Sequence, residues 1–355
     1  MQRLACKGVR MWSVWQPDRG MFFNSYFIER AQGNVVVDPL PLSDEDAGEA
    51  RAAGGISIVV LTNRDHERAA EQLRERFGAR IVAGVREAAS FEIGIDRTLR
   101  DGEEIAAGIV AIELPHGKTP GEIALHVPDA NAAIVGDALI GAPAGALSIL
   151  PDEKLADPEA FVLSLRRLWG LRLSVLLLGD GTPLLCGADE AIGTLLFARA
   201  GLACNRINLD ELTWTHDASP GGRFSGLEAE VGDPIGARKL GYRLAIVAPG
   251  ATYCPLHCHD QEEELFFVLE GSPTIRGLHG SIQCRAGDFV AFPTGDRGTH
   301  QLLNQSDQPA KLLLLGMERP GDEVVYYPDS DKISVASRAL RVRGSPALAY
   351  FDGEE

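Results

Sequence analysis

Three histidines and one glutamate carry the clearest chemistry in a chain of 355 residues that has only eight histidines. In the stretch Pro255-Leu-His257-Cys-His259-Asp-Gln-Glu-Glu-Glu264 a single residue separates two imidazoles. Extended backbone therefore points both rings to one face and Cys258 to the other. Glu264 opens the next apolar run, and a tight turn after His259 brings its carboxylate back beside the rings. A second stretch, Gly287-Asp-Phe-Val-Ala-Phe-Pro293-Thr-Gly295-Asp-Arg-Gly-Thr-His300, holds a Gly-Asp turn and a Pro-X-Gly turn that aim His300 towards the first. Three imidazoles and a carboxylate suit a divalent transition metal such as Fe, Mn, Ni, Cu or Zn. Such an ion keeps coordination positions open for a small oxygen-bearing ligand, O2 or water.

Around these residues, from Arg238 onward, short apolar runs follow one another with turns and almost no helical pattern: 242–247, 265–269, 274–276, Phe289–Phe292, 311–315 and 323–327. Strands at this spacing predict a barrel or jelly roll. Before them, 208–214 reads as a lead-in and 219–226 as a glycine-rich turn. Phe266, Phe267 and Phe289 are expected in the barrel core, and Glu262, Glu263, Asp296 and Arg297 as surface charge. No catalytic base is evident. Cys254 and Cys258 stand beside the histidines either as further donors or as small buried packing residues.

The first half reads differently. Two or three antiparallel strands span 11–38, and Ser43 caps a helix with acidic residues in its first turn. The run 56–61 is continuously apolar, as in a buried strand, and a helix over 65–77 carries Ala69, Leu73 and Phe77 on one face. Further strands are expected at 80–83, 109–114, 122–127, 132–140 and 174–178, with helices at 85–90, 157–168 and 189–200. Strands interleaved with amphipathic helices predict an α/β layered domain. The boundary falls near 203–210, dividing the chain into domains 1–205 and 206–355. The tail 341–355 is polar and is expected to pack loosely.

The chain is 45% hydrophobic and 24% charged, as in an ordinary globular protein. Its 50 acidic and 34 basic residues give a net charge of -16, which argues against nucleic-acid or anionic-membrane partners. No apolar run is long enough to span a bilayer, and Met1-Gln-Arg-Leu-Ala-Cys6 leads into sequence too polar for a signal-peptide core. Six scattered cysteines form no Cys-X-X-Cys pair, so reduced thiols and a cytoplasmic location are expected.

The histidine stretches, with Gly271, Gly287, Pro293, Gly295 and Asn304 in place, resemble the paired motifs of the cupin superfamily. The resemblance implies that His257, His259, Glu264 and His300 bind one metal inside a small antiparallel β-barrel, and that the protein is a homodimer. Six residues separate Gly250 from His257 and four separate Gly295 from His300, each more than in the cupin pattern; both departures fall in turns and remove no ligand. The text from 240 to 335 closely resembles single-domain bacterial cupins of uncharacterised activity.

In the first half, the element order and the runs Phe23-Asn-Ser-Tyr-Phe-Ile, Val59-Val-Leu-Thr-Asn-Arg-Asp-His66, Gly117-Lys-Thr-Pro-Gly121 and Gly136-Asp137 resemble the metallo-β-lactamase fold, an αββα sandwich. Where that family has His-X-His-X-Asp-His, this chain reads Leu61-Thr-Asn63-Arg-Asp65-His66. The family's Gly-His-Thr-Pro-Gly is Gly117-Lys118-Thr-Pro-Gly, and its Gly-His-Gly is Gly179-Asp180-Gly. One of the two family metal sites has thus lost its imidazoles. The other keeps Asp65, His66, Asp137 and Asp180, with His116 nearby, as an oxygen-rich set for a weakly held Mn, Fe or Zn. Alternatively Lys118 supplies the positive charge, pairs with Asp137, and leaves the domain without metal and non-hydrolytic.

Three functions stay open. The barrel metal serves dioxygenation, decarboxylation or isomerisation of a small oxygen-bearing metabolite; or the protein is a non-catalytic sensor of such a ligand; or the first domain hydrolyses with a residual metal and the barrel regulates it.

Overall fold

Continuous runs of β-branched residues build the first of the two units into which the computed structural model divides, Met1–Arg206, the second being Ile207–Glu355. Residues 1–106, 108–317, 321, 323–346, 348 and 352 are described.

In the first unit, Val35–Val37, Ile58–Leu61 and Arg80–Gly84 pair in parallel. Apart from the exposed Arg80 their residues are buried on both faces, which is why polar alternation is missing. Val35, Val37, Ile58, Val60 and Val82 enter one cluster. Val36, Val59, Leu61, Ile81 and Ala83 enter another, against Ala50 of helix Asp44–Ala52 and Leu73 of helix Ala70–Phe77. Strands Ile123–Val127, Ala132–Gly141 and Val175–Gly181 behave alike. Leu125, Ile134 and Leu177 join the first cluster, while Ala124, Val135 and Leu178 pack against Phe161 of helix Pro158–Ser164 and Ile192 of helix Ala188–Ala200. Helix, sheet, sheet, helix is the resulting order of layers. The two half-sheets join where Asp180 lies opposite Phe23. There Tyr26 Oη donates to the Leu178 carbonyl at 2.7 Å.

Three expected helices differ; that at 157–168 is two short ones, Pro158–Ser164 and Arg166–Trp169. The 65–77 helix is a 3-10 turn, Arg64–His66, followed by Ala70–Phe77. Arg68 between them has φ 39°, outside helical backbone. The 85–90 helix is only the 3-10 turn Ala88–Ser90; Val85 instead donates its N–H to the Leu99 carbonyl, extending the sheet edge. Strands Arg97–Leu99 and Glu104–Ala106, too short to carry a periodic signal, were not expected.

The second unit is a strand-built barrel. A six-stranded sheet runs Thr215–Ala218, Ser225–Glu230, Leu240–Val247, Ala310–Met317, Glu264–Glu270 and Phe289–Phe292 in spatial order. Smaller sheets hold Gly280–Gln283, Thr274–Gly277 and Gln301–Leu303, and Cys258–His259, Val324–Tyr327, Lys332–Val335 and Leu340–Arg343. The barrel begins earlier than the sequence suggests, because the glycine-rich turn joins a hairpin, Thr215–Ala218 with Ser225–Glu230. Phe266 is core, but Phe289 is not: it is 70% exposed. Pairing Phe267 with Phe289 in register puts both on the face opposite Phe266. The end of the expected loose tail, apart from positions 348 and 352, lies outside the described residues, while Leu340–Arg343 is a paired strand. Among the described residues no helix is long and apolar enough to cross a membrane.

Candidate metal centres

The barrel centre is assembled by sheet pairing. His257 and His300 are directly opposed antiparallel residues, exchanging N–H···O bonds of 3.0 and 2.8 Å, so their side chains leave the same face. His259 follows on the same face, and its carbonyl accepts the Gly295 N–H at 2.7 Å. Gly295 has φ 73°, the left-handed backbone that the Pro-X-Gly turn requires. Glu264 begins strand Glu264–Glu270 and shares the inward face with Phe266 and Val268. Phe292, its register partner, stacks on His300 at 3.9 Å between ring centroids.

The rings are held with their Nε2 atoms inward. His257 Nδ1 lies 2.9 Å from the Pro255 carbonyl and His300 Nδ1 2.8 Å from the Gly298 carbonyl. A carbonyl can only accept, so each Nδ1 carries the proton and each Nε2 keeps a lone pair. Glu264 Oε2 sits 3.3 Å from His259 Nε2 and 3.2 Å from His300 Nε2. These three atoms are buried with no hydrogen-bond partner. For His300 this sets a lone pair against a carboxylate oxygen, an arrangement that calls for a cation between them. The donor atoms of His257, His259 and Glu264 all lie within 4.8 Å of one another.

Electrostatics agree. Burial, reinforced by His300, pushes His257 down to about 4, keeping it neutral. Burial alone would raise Glu264, but contacts with His259 and His300 outweigh it and hold the carboxyl well below its usual range. His259 is shifted upward: burial opposes this, and the Glu264, Glu262 and Glu323 carboxylates overcome it. The residues therefore fit a divalent cation.

A cavity of about 280 Å³ opens on this centre, lined by His257, His259, Glu264, Glu262, Arg243, Tyr242 and Met317 among others. Glu262, expected as plain surface charge, belongs to this wall, 3.4 Å from His259 Nδ1. Cys258 is buried on the opposite face, and burial pushes the Cys254 thiol up to about 12. All six cysteines are free. Asn304 is fully buried and donates to the Val247 and Gln308 carbonyls, both at 2.8 Å, a structural part.

The first unit's centre gathers His66, Asp137 and Asp180, whose donor atoms also lie within 4.8 Å of one another. Here, however, cations are already in place. Lys118 Nζ bonds Asp137 Oδ2 at 2.8 Å and also Asp65. His66 Nδ1 is 2.9 Å from Asp38 Oδ2 and its Nε2 3.3 Å from Asp137 Oδ1. Burial works against its charge, but those carboxylates raise His66 to about 10, so both nitrogens carry protons at neutral pH. Asp180 Oδ1, buried without a hydrogen bond, has the Arg68 guanidinium 3.7 Å away. Burial and neighbouring Asp137 raise Asp180 to about 6. Asp65 is turned towards Lys118, and His116 is exposed in a left-handed turn with φ 71°. In this structure His66 carries protons and Asp137 is held by the Lys118 ammonium, while Asp180 Oδ1 alone of the set is left without a hydrogen bond.

Sequence reading missed three acids. Asp38 follows strand Val35–Val37 and accepts from Thr62 N–H at 2.8 Å and Thr62 Oγ1 at 2.7 Å. Glu122 is buried beside Asp137; burial raises it to about 8, so it is largely uncharged at neutral pH. Glu323 accepts backbone N–H bonds from the residues that follow His259. A charged residue abutting a mostly apolar strand is the only signal any of them gives.

Residues 1–195 match the family model for the metallo-beta-lactamase superfamily and residues 243–316 the model for the cupin domain. Hydroxyacylglutathione hydrolase of Brucella anthropi is 34% identical over 85 residues, 23% of this chain and 32% of that one. The Brucella ovis enzyme of that name is 32% identical over 136 residues, 38% of this chain and 48% of that one. The chain thus spans about half or less of the length of these curated relatives. A solved cupin-superfamily structure from Silicibacter pomeroyi, described as a sugar phosphate isomerase, is 29% identical, covering 41% of this chain and 98% of that one with a TM-score of 0.36. By its match over residues 1–195 the chain belongs to the metallo-beta-lactamase superfamily, and it carries a cupin domain after that fold.

Proposed function

We propose that this protein binds a divalent transition metal through His257, His259, Glu264 and His300, and that a small oxygen-bearing metabolite binds beside it. The observation that carries this reading is the convergence of His259 Nε2, His300 Nε2 and Glu264 Oε2, buried, unpartnered and facing one another at the cavity. When bound, the metal supplies a Lewis acid that polarises a ligand oxygen. The chain's own part is to hold the four donors facing one another, to stack Phe292 on His300 with Phe266 edge-on to it, and to shape the cavity. The first unit is non-hydrolytic in this reading, since Leu61, Asn63, Lys118 and Asp180 stand where its relatives have imidazoles.

The test is thermal stability of metal-loaded protein with a panel of hydroxy acids, keto acids and sugars. A ligand at one hundred times its Kd adds about 2.7 kcal/mol, and the His257→Ala, His259→Ala double variant should lose that gain. Ligand stabilisation that survives in the double variant contradicts the reading. Consumption of the stabilising ligand then marks an enzyme, and stabilisation without turnover a sensor.

A further inference from the structure

Glu323 lies past the end of the cupin match at residue 316, yet it reaches the metal-ligand loop. Its side chain is only 6% exposed. Oε1 accepts the Asp260 N–H at 3.0 Å and Oε2 the Gln261 N–H at 3.2 Å. Oε1 also lies 3.3 Å from His259 Nδ1. The strand that follows Glu323 is anchored to the same loop: Val324 accepts the Asp260 N–H at 2.9 Å, and Val325 and Tyr326 pair with His259 and Cys258. Glu262 is 3.4 Å from the same ring nitrogen, but it lines the cavity and rides on the short loop it would have to fix. Glu323 approaches from a separate segment, the one that leads into strand Val324–Tyr327.

A carboxylate can only accept, so a ring nitrogen bonded to it carries a proton, and in the neutral ring that takes a metal the other nitrogen presents its lone pair. The geometry points to Glu323 as the positioning residue of the barrel metal centre. By accepting from His259 Nδ1–H it fixes the tautomer and the ring angle that turn Nε2 towards Glu264. By bonding Asp260 and Gln261 it ties the ligand loop to the C-terminal hairpin. This rests on the reading that the barrel binds metal. Supporting acceptors of this kind typically contribute 10–100-fold to metal affinity.

The experiment titrates full-length, metal-stripped protein with Co(II), by calorimetry and by the visible absorption of the ion, in wild type, Glu323→Gln and Glu323→Ala. Glu323→Gln is expected to weaken Co(II) binding about tenfold or more and to shift the absorption bands, with circular dichroism unchanged. Glu323→Ala should weaken it at least as far; if that variant fails to fold, Glu323→Gln decides alone. Wild-type affinity and spectrum in folded Glu323→Gln overturn the role of Glu323 while leaving the barrel a metal centre. A wild-type protein that takes up no Co(II) overturns both.

Discussion

The two units each bring imidazole and carboxylate together, and they resolve the resulting charge in opposite ways. In the first unit the acids Asp38, Asp65, Asp137 and Asp180 meet cations of the chain itself: Lys118, protonated His66 and Arg68. In the barrel no Lys or Arg touches Glu264 among the described ion pairs; its neighbours are His259 and His300 nitrogens, and the His300 lone pair faces it. One centre is closed electrostatically by side chains, and the other asks for an ion. The difference shows that a cluster of potential ligands is informative only with its protons counted, because a proton or an ammonium occupies the place a metal would take.

Removing a barrel ligand should have the largest effect. Glu264→Ala is expected to weaken metal binding by more than the 10–100-fold typical of a supporting residue, measured by calorimetric titration. An unchanged Kd would put the ion elsewhere. In the first unit the expected loss is of fold. His66→Asn leaves Asp38 and Asp137 buried beside a neutral amide, and breaking a buried pair in this way costs on the order of 3–5 kcal/mol. Denaturant unfolding of the variant measures it, and a change under 1 kcal/mol, on the order of a surface pair, would show that His66 does not bridge those acids.

The pH dependences should also run in opposite directions. His257 titrates at about 4 in the fold against 6.5 in the unfolded chain, so the unfolded chain binds more protons between these values. The contribution of neutral His257 is full above 6.5 and lost as the pH falls towards 4. His66 is raised to about 10 from 6.5, so its contribution is full below 6.5 and lost as the pH rises through 10. In metal-free protein, His257→Gln should therefore gain on wild type at acid pH, and the deficit of His66→Asn should shrink above pH 10. Deficits that do not change with pH would contradict the two protonation states. The smallest effect expected is that of Asp137→Ala on metal content, which should be none by elemental analysis.

Much of this contrast was legible in the sequence. His257, His259, Glu264 and His300 could be read because strand alternation and turn residues fix their directions, and because cupin spacing recurs around them. Lys118 could be read as a substitute cation because it stands where a relative has an imidazole. Asp38, Glu122 and Glu323 could not. Each meets its partners across long sequence separations, Glu323 lying 62 to 64 residues from the groups it bonds, and no local period encodes that. Phe289 was misplaced for a related reason: an apolar residue in a strand is expected inside, and only the register with Phe267 shows which face it takes. The 65–77 helix is expected too early because its apolar period, Ala69, Leu73 and Phe77, begins only after Arg68, whose backbone lies outside the helix.

The central claim is that the barrel centre, and not the first unit's, holds the metal. Elemental analysis of natively purified protein, with metal counted per chain in wild type and in the His257→Ala, His259→Ala double variant, tests it most directly. About one equivalent of Fe, Mn, Ni, Cu or Zn in wild type and none in the double variant is the predicted result. Metal retained in full by the double variant would contradict it.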